Sequence, residues 1–403
     1  MDVAVGIDVA KEFHWVVATR PDQETGKATN ILSRRVDNTP GAIADLVDEM
    51  AGLVAPDESL QVGIDILGGI ARLLETMLLT AGLEVVHVPG LAVKTARRAT
   101  RGGEHKSDPR DARVIADQVR SRDDLRRVAL LNDADADLAL LVARRRELVV
   151  GQTRRINRLR ELYCTIAPGL ERAVDPTRKI DLALLARYVT PGEIRRTGKA
   201  RIAGYLRRTG QHNGSTLNTL VDAVHAAAQQ QRVSVPGEAT AAEFIKDLAA
   251  EALAVRSKIA VVDDRLAQAL AGHPDAALVE TLPGMGTVLT AEFLAVAGGI
   301  TRFPSGDHLA AAAGMAPALR QSGKVRYLQR PLAGDRVLKR VVFQSAFCAL
   351  PRDPTSRRFY DRKRQEGKTH HQAVIALARR RINVLYAMLR DRRPYLTQTP
   401  KAA

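Results

Sequence analysis

The amino-acid sequence predicts an α/β domain at the N-terminus followed by a mainly α-helical remainder. Short β-branched and aromatic runs alternate with helical segments at the start of the chain, whereas from Leu138 onward apolar residues recur at helical spacing. The chain has 403 residues, enough for two or three domains that each have a core. Its formal net charge is +16, so its electrostatic field attracts polyanions such as nucleic acid or an acidic membrane.

The order of the first elements narrows the N-terminal fold to one architecture. Pro40 suits the first turn of a helix, and Arg20-Pro21-Asp22 is typical of a turn. Three antiparallel strands followed by parallel crossover units form a ribonuclease H-type layer structure. The predicted elements are strands at residues 3–8, 13–19 and 31–36, a helix at 41–54, a strand at 60–66, a helix from about Gly69, a strand at 83–88 and a helix after Pro89.

Four acidic residues lie where this architecture can bring them together. Asp8 ends the first strand and Asp65 ends the fourth, and these strands are neighbours in the predicted sheet. Asp108 and Asp111 are three residues apart, hence on one helix face, and Asp108 before Pro109 also suits a helix N-cap. A set of carboxylates can hold two divalent cations, which stabilise the attacking and leaving oxygens of a phosphoryl transfer. We therefore expect a metal site formed by all four acids.

Basic residues cluster around the acidic pair and along the first long helix. Arginine dominates these clusters and acidic partners are few, which favours contact with the phosphates of DNA or RNA over a merely solvated face. Aromatic residues are only 4% of the chain, so base stacking is not the main mode. The predicted nucleic-acid contacts in these clusters are Lys94, Arg97, Arg98, Arg101, Lys106, Arg110, Arg154, Arg155 and Arg158.

Two helical segments in the middle of the chain carry apolar seams. The first comprises Leu138, Val142, Val149, Ile156, Leu159, Tyr163 and Ile166, and the second comprises Ile245, Leu248, Ala252, Val255, Ile259, Val262, Leu266 and Ala269. They flank an insert near residues 175–238 to which the sequence assigns no role. This spacing suits an antiparallel hairpin, an oligomeric coiled coil or two ordinary amphipathic helices of one bundle, and the pattern leaves these alternatives open.

The C-terminal part begins near His273. Leu282-Pro283-Gly284-Met285-Gly286 resembles a helix-hairpin-helix turn, in which Gly284 and Gly286 would let backbone N–H groups approach a phosphate. An Ala-rich helix follows Phe303-Pro304, and a loop over residues 319–324 precedes two further helices separated by Asp353-Pro354. Ser322 in this loop is by default a turn serine, and Ser305 is better suited to capping a helix.

Six segments carry a family resemblance: GIDVAK (6–11), VGIDILGG (62–69), HKSDPRDA (105–112), LPGMGTVLTAEFLA (282–295), RFPSGDHLAAAAGMAP (302–317) and RQSGKVR (320–326). In this order they resemble the DEDD insertion-sequence transposases, a family of bridge-RNA-guided recombinases related to Piv/MooV-type invertases. The insert is not matched. The resemblance implies a RuvC-like domain over residues 1–128, a helical coiled-coil linker over 129–272, and a C-terminal transposase domain over 273–403.

The resemblance also implies roles for individual residues. The four acids of the family fall on Asp8, Asp65, Asp108 and Asp111, and its serine nucleophile falls on Ser322, beside Lys324 and Arg326 as expected nucleic-acid contacts. The second acid is usually Glu; Asp65 still offers an oxygen ligand to a hard cation such as Mg²⁺ or Mn²⁺. Gly334-Asp335 stands where the family often has Gly-Asn.

The sequence supports three functional hypotheses. The first is a metal-dependent transposase or recombinase that joins Ser322 to a DNA phosphate; by resemblance, it uses donor and target DNA, a guide RNA and a homo-oligomer, either dimer or tetramer. The second is a hydrolytic junction nuclease without a covalent step. The third is a non-catalytic nucleic-acid-binding protein, which the complete acidic set argues against. Without a signal peptide, membrane span or paired cysteines, a bacterial cytoplasmic, nucleoid-associated protein is expected.

Overall fold

The structure, a computed structural model, describes residues 2–22, 24–99, 104–210, 214–323, 325–329, 331 and 334–396. The chain divides into two compact units, Met1–Asn132 and Asp133–Ala403. The first unit is mixed α/β and the second is mainly helical, which confirms the coarse fold class predicted from the sequence.

The first unit is built on one six-stranded sheet with strand order β3-β2-β1-β4-β5-β6. β1 pairs with β4 and β4 with β5 in parallel, whereas the other pairs are antiparallel. The elements are β1 (Val3–Asp8), β2 (Phe13–Pro21), β3 (Ala28–Asp37), α1 (Pro40–Ala51), β4 (Leu60–Ile64), α2 (Arg72–Thr80), β5 (Glu84–His87), α3 (Gly90–Ala99), α4 (Asp108–Ser121) and β6 (Arg126–Arg127). The predicted order is confirmed, but the two-residue β6 lacks any apolar pattern and was not predicted.

Side chains of β1 alternate between the two faces of the sheet, as its extended backbone requires. Val3, Val5 and Ile7 are fully buried in the core that contains α1 and α2. On the other face Ala4 belongs to a second core with residues of α4. The sheet is therefore covered by helices on both faces, which explains why β1 reads as a nearly continuous apolar run.

Two long helices of the second unit, α5 (Asp133–Ile166) and α10 (Glu238–Ala271), pack as an antiparallel pair. Arg145 Nε donates to Asp263 Oδ1 at 2.5 Å, and Arg155 Nε donates to Glu251 Oε2 at 2.8 Å. Among the arrangements that the sequence leaves open, the structure shows a hairpin within one chain. Most predicted seam residues are buried, but Val149 is 37% exposed while Leu141 and Leu148 take its place inside.

The insert between these helices forms a second core with their distal ends. Tyr163 of α5 is fully buried and donates its hydroxyl to the carbonyl oxygen of Val189 at 3.1 Å. The insert thus completes a helical subdomain at the end of the hairpin. Its helices are α6 (Pro168–Ala173), α7 (Lys179–Leu185), α8 (Pro191–Arg208), which has a kink at Gly198, and α9 (Gly214–Gln230).

The rest of the second unit packs on the other end of the α5–α10 pair. In the described part of the chain three helices follow the β-hairpin, not the predicted two, and Asp353 caps the second of them. Asp335 caps the first by accepting hydrogen bonds from Val337 and Leu338, a role that Asn fills equally well. The elements are α11 (Ala276–Glu280), α12 (Thr287–Ala297), α13 (Gly306–Ala312), β7 (Ala318–Ser322), β8 (Val325–Gln329), α14 (Arg336–Ala349), α15 (Pro354–Gln365) and α16 (His370–Asp391).

Within the described ranges, no helix has both the length and the apolar character needed to cross a lipid bilayer.

Candidate active site

Asp8 and Asp65 lie side by side at one edge of the sheet. β1 and β4 are parallel and pair Ile7 with Ile64. Asp8 and Asp65, which follow these two residues along the chain, are therefore neighbours. Asp65 Oδ1 accepts a hydrogen bond from the backbone N–H of Val9 at 3.3 Å. The predicted neighbourhood of the first two acids is therefore confirmed.

Helix α4 brings the second pair of acids to the same edge because two glycines let it lie directly on the sheet. A β-carbon on Gly6 would stand 2.1 Å from the carbonyl oxygen of Ala112, and one on Gly63 would stand 2.3 Å from Cγ2 of Val119. Such distances admit only glycine. These two glycines were not predicted as site residues, although the repeated VGID in both strands was the available signal.

The start of α4 differs from the prediction by one residue. Ser107 is the N-cap, with extended backbone angles, and Asp108 is the first helical residue. Asp108 and Asp111 both lie in the first turn, where the partial positive charge of the helix N-terminus stabilises carboxylates. Asp111 is only 5% exposed.

The four acids are close enough to act on one another electrostatically. Burial, the largest cause, raises the pKa of Asp8 from 3.8 to about 7. The carboxylates of Asp65, Asp111 and Asp108 raise this pKa in the same direction, and the ammonium of Lys106 opposes them. Burial likewise raises the pKa of Asp65. The site is a half-buried concentration of carboxylates.

One cation does lie inside this site. Nη1 of Arg97 on α3 donates to both Oδ1 and Oδ2 of Asp111 at 2.6 Å, and the side chains of the pair are 13% and 6% exposed. Arg97 was predicted to contact nucleic acid, but the structure places it against an acid of the site. Within the part of the chain that is described, no three His, Cys, Asp or Glu side chains converge as a ready-made metal cage. The donor chemistry nevertheless suits Mg²⁺ or Mn²⁺, which prefer carboxylate oxygens.

Glu75 supports the loop that follows Asp65. Glu75 is 8% exposed, and its carboxylate accepts a hydrogen bond from the backbone N–H of Gly68 at 2.6 Å. Gly68 and Gly69 have φ angles of +66° and +54°, so this loop has a backbone that only glycine adopts readily. The sequence offered no signal for this contact beyond the two adjacent glycines.

Ser322 is the last residue of β7 and is exposed to solvent on a β-hairpin. The sequence predicted a loop here, so the strand is a correction; Ser322 pairs with Val325 across the turn, in which Gly323 has a φ of +56°. Arg326 is exposed on β8, whereas Lys324 lies outside the described residues. Ser322 therefore stands at the tip of a projecting element.

Ser305 caps a helix, as predicted. Its Oγ accepts from the backbone N–H of His308 at 3.4 Å and lies 2.8 Å from Nδ1 of the same histidine. These contacts give Ser305 a structural role at the start of α13.

The two glycines of the turn between α11 and α12 have different surroundings. Gly284 has a φ of +83°, and a β-carbon there would stand 2.4 Å from the carbonyl oxygen of Ser345 on α14. Gly286 is exposed, and a β-carbon there would meet nothing within 4 Å. Gly284 is thus a packing residue, and Gly286 has the open space that a phosphate would need.

The remaining predicted nucleic-acid contacts lie on two surfaces. On the first unit Lys94, Arg98 and Lys106 are exposed and Arg110 is half-buried, whereas Arg101 lies outside the described residues. On the second unit Arg154 and Arg158 of α5 are exposed and Arg155 is half-buried. Nucleic-acid contact by these residues therefore stays a prediction.

A basic groove of about 660 Å³ runs between α5 and α10. Two of its arginines are paired, Arg144 with Glu147 at 2.7 Å and Arg155 with Glu251 at 2.8 Å. Three other cations that line it, Arg146, Arg154 and Lys258, have no carboxylate partner among the described residues. The groove therefore carries a net positive charge that the protein itself leaves uncompensated.

Comparison with known proteins gives two family matches. Residues 5–168 match a transposase family of the DEDD IS110 type. Residues 276–361 match the transposase family described as IS116/IS110/IS902. The first match contains all four acids and the second contains Ser322, Gly284 and Gly286.

Relatives cover the whole chain. The 42 kDa protein of insertion element IS900 from Mycobacterium paratuberculosis is 39% identical over 404 residues, covering 100% of this chain and 99% of its own length. The 44.8 kDa protein of IS116 from Streptomyces clavuligerus is 38% identical, with 98% of each chain covered. A pilin gene-inverting protein from Moraxella lacunata is 35% identical over 123 residues, or 30% of this chain and 38% of that protein.

Proposed function

Because the chain belongs to the IS116/IS110/IS902 family of insertion-element transposases, we propose that it is a metal-dependent recombinase that cuts and rejoins DNA through a phosphoserine link. The observation that supports this proposal most directly is that Asp8, Asp65, Asp108 and Asp111 lie at one edge of the sheet, near enough for the charges of the other three to raise the pKa of Asp8.

The first unit fits a ribonuclease H or RuvC-like domain. Its strand order, with β1 central between an antiparallel and a parallel half, puts acids on two adjacent strand ends and on the helix above them. We propose the domain boundaries as residues 1–128 for this domain, 129–272 for the helical linker and 273–403 for the transposase domain.

The four acids would hold Mg²⁺ or Mn²⁺. When bound, such a cation would lower the barrier by stabilising the attacking and leaving oxygens of the phosphate. The protein's contribution is the arrangement of the ligands: β1 and β4 fix Asp8 and Asp65, and the close packing of α4 on Gly6 and Gly63 fixes Asp108 and Asp111. Because the pKa of Asp8 is raised to about 7 in the metal-free protein, a cation that bound there would have to displace the proton that Asp8 partly retains at neutral pH.

Ser322 is the proposed nucleophile. Its Oγ forms a bond to phosphorus while the bond from phosphorus to a sugar oxygen breaks; the serine proton passes to a base, and the departing sugar oxygen takes up a proton. Rejoining reverses these changes when a sugar hydroxyl attacks the phosphoserine. A projecting hairpin with an exposed hydroxyl suits this role, because an incoming DNA strand can reach the serine.

The proposed partners are donor and target DNA, a guide RNA and further copies of the chain in a dimer or tetramer. The basic surface of the first unit and the groove between α5 and α10 provide positive charge for phosphate backbones. Gly286 at the start of α12 offers backbone N–H groups to a further phosphate.

Covalent trapping tests the function. Labelled DNA that carries an end of the protein's own element is incubated with the protein, the element's RNA and Mg²⁺, and the products are separated under denaturing conditions. We expect a protein–DNA adduct with the natural chain and with Ser305→Ala, and none with Ser322→Ala. Cleavage that persists in Ser322→Ala without any adduct would instead establish the hydrolytic nuclease.

A further inference from the structure

Arg97 occupies the carboxylate of Asp111 where a divalent cation would bind. One nitrogen of Arg97, Nη1, contacts both carboxylate oxygens of Asp111 at 2.6 Å, so both oxygens are engaged by the guanidinium. The pair is nearly inaccessible to water, since the Asp111 side chain is 6% exposed and that of Arg97 is 13% exposed. Asp111 is the most deeply buried of the four acids, so its charge has the greatest need of a counter-ion.

A buried carboxylate without a counter-ion is strongly unfavourable. Asp111 also lies close enough to Asp8 and Asp65 to raise the pKa of each through its negative charge. In the absence of metal, some cation has to compensate Asp111, and the structure provides the guanidinium of Arg97. The charge that a metal would bring is thus already supplied in part by the protein.

We propose that Arg97 is a built-in substitute cation: it neutralises Asp111 in the metal-free protein, and a divalent cation displaces its guanidinium from the carboxylate. This inference rests on the proposed metal site. It makes Arg97 a positioning residue that sets how tightly the acids bind metal, and it separates Arg97 from the surface lysines and arginines with which it was grouped by sequence.

A different role for Arg97 predicts the opposite effect on metal affinity. If Arg97 stayed on Asp111 while the metal was bound and oriented the carboxylate for it, then removing the guanidinium would weaken metal binding. If the metal displaces Arg97, removing it takes away both a competitor and a repelling positive charge, and metal binding becomes tighter. The sign of the change therefore distinguishes the two roles.

The test is a titration of the full-length protein with Mn²⁺ in the absence of nucleic acid, followed by calorimetry and by the electron paramagnetic resonance of free Mn²⁺. We expect Arg97→Gln to bind Mn²⁺ about tenfold more tightly than the natural chain, which corresponds to about 1.4 kcal/mol. The metal-free Arg97→Gln protein should melt at a lower temperature than the natural chain, and saturating Mn²⁺ should narrow that difference.

Arg120→Gln is the matched control, because it removes the same charge from the exposed last turn of α4 and should leave Mn²⁺ affinity within about twofold of the natural value. Arg97→Lys keeps a cation but replaces the guanidinium with a shorter-reaching ammonium, and its affinity should fall between those of the natural chain and Arg97→Gln. If Arg97→Gln does not fold, the Mn²⁺ affinity of Arg97→Lys tests the displacement in its place.

The outcomes separate this inference from the proposed function. If the natural chain binds no Mn²⁺, the metal site itself is wrong. If the natural chain binds Mn²⁺ but Arg97→Gln, or Arg97→Lys in its place, binds it equally or more weakly, the site stands and the displacement of Arg97 is overturned.

Discussion

Gly6 and Ala112 are in such close contact that a single added methyl group cannot fit between β1 and α4: a β-carbon on Gly6 would stand 2.1 Å from the carbonyl oxygen of Ala112. The nearby backbone nitrogen of Ala116 would be at 2.4 Å. Since both obstacles are backbone atoms of a helix, the helix would have to move as a whole. The position of Asp111, one residue before Ala112, depends directly on this contact.

Gly6→Ala should therefore destabilise the first unit and disable its acidic site. We expect a loss of about 3 kcal/mol or more in the free energy of unfolding, because the added atom overpacks a backbone contact. Gly41→Ala in α1 is the control: a β-carbon there meets nothing within 4 Å, and the change should be neutral or stabilise by up to about 1 kcal/mol. Urea denaturation of both variants makes the comparison, and equal stabilities would show that α4 lies farther from β1 than described.

Gly284→Ala and Gly286→Ala should have opposite profiles. Gly284 combines a φ of +83° with a β-carbon position 2.4 Å from a carbonyl oxygen of α14, so the variant should lose about 3 kcal/mol or more of stability. Gly286→Ala should keep its melting temperature but bind DNA less tightly, since the methyl group fills the space proposed for a phosphate. Unchanged DNA affinity in a folded Gly286→Ala protein would remove this turn from the nucleic-acid interface.

Asp8→Asn should abolish cleavage, as should Asp108→Asn, while DNA binding is largely retained because the basic surfaces supply the affinity separately. Cleavage in Mg²⁺ measured beside a binding assay tests both variants. Full activity of Asp8→Asn would contradict the metal-site proposal at its centre.

Asp8→Asn should also make the metal-free protein more stable at alkaline pH. The pKa of Asp8 is about 7 in the folded state against an ordinary 3.8, so the folded state binds more protons between these values and its stability falls as pH rises through that window. Asn removes this loss. Because Asp8 keeps some contact with water, we expect a gain of only about 1–2 kcal/mol at pH 8 and none near pH 4. Thermal melts of both proteins in chelator across this range check the sign.

The acids could be located from the sequence because their placement follows from strand order. Asp8 and Asp65 each end an apolar run, and the parallel pairing of β1 with β4 then makes them neighbours. The contact between Arg97 and Asp111 could not be predicted, because it depends on how α3 packs against α4 and is not encoded in a local pattern. The strand β7 was missed for a related reason: its exposed residues show no alternation of apolar and polar side chains, and its extended backbone pairs with β8.

Asp65→Glu should remain active, because it restores the acid usual in the family and keeps an oxygen ligand, whereas Asp65→Ala should be inactive. Glu75 offers a matched comparison, since its carboxylate supports the Gly68 loop and is not proposed as a ligand. Glu75→Gln keeps a hydrogen-bond acceptor and should be nearly as stable as the natural chain; Glu75→Ala should lose about 1–3 kcal/mol. If Asp65→Ala cleaves normally while Glu75→Gln is dead, Glu75 is the ligand instead.

The groove between α5 and α10 should bind the backbone of nucleic acid through Arg146, Arg154 and Lys258. Their positive charges have no carboxylate partner in the described part of the chain, whereas Arg144 and Arg155 beside them are engaged with Glu147 and Glu251. An unpaired cation can neutralise a phosphate without first giving up an internal ion pair, and each phosphate neutralised releases counterions. Replacing each of the three by Gln should thus weaken binding uniformly across sequences. For double-stranded DNA, it should also reduce the slope of log affinity against log salt by about 0.9 per residue.

Lys199→Gln is the control, since Lys199 is exposed on α8 but already paired with Asp222 at 2.7 Å. Binding isotherms at several salt concentrations, with DNA and with RNA in separate series, show which nucleic acid the groove holds. If the triple variant has the same slope as the Lys199 control for both nucleic acids, the groove carries no phosphate, and its charge serves another purpose.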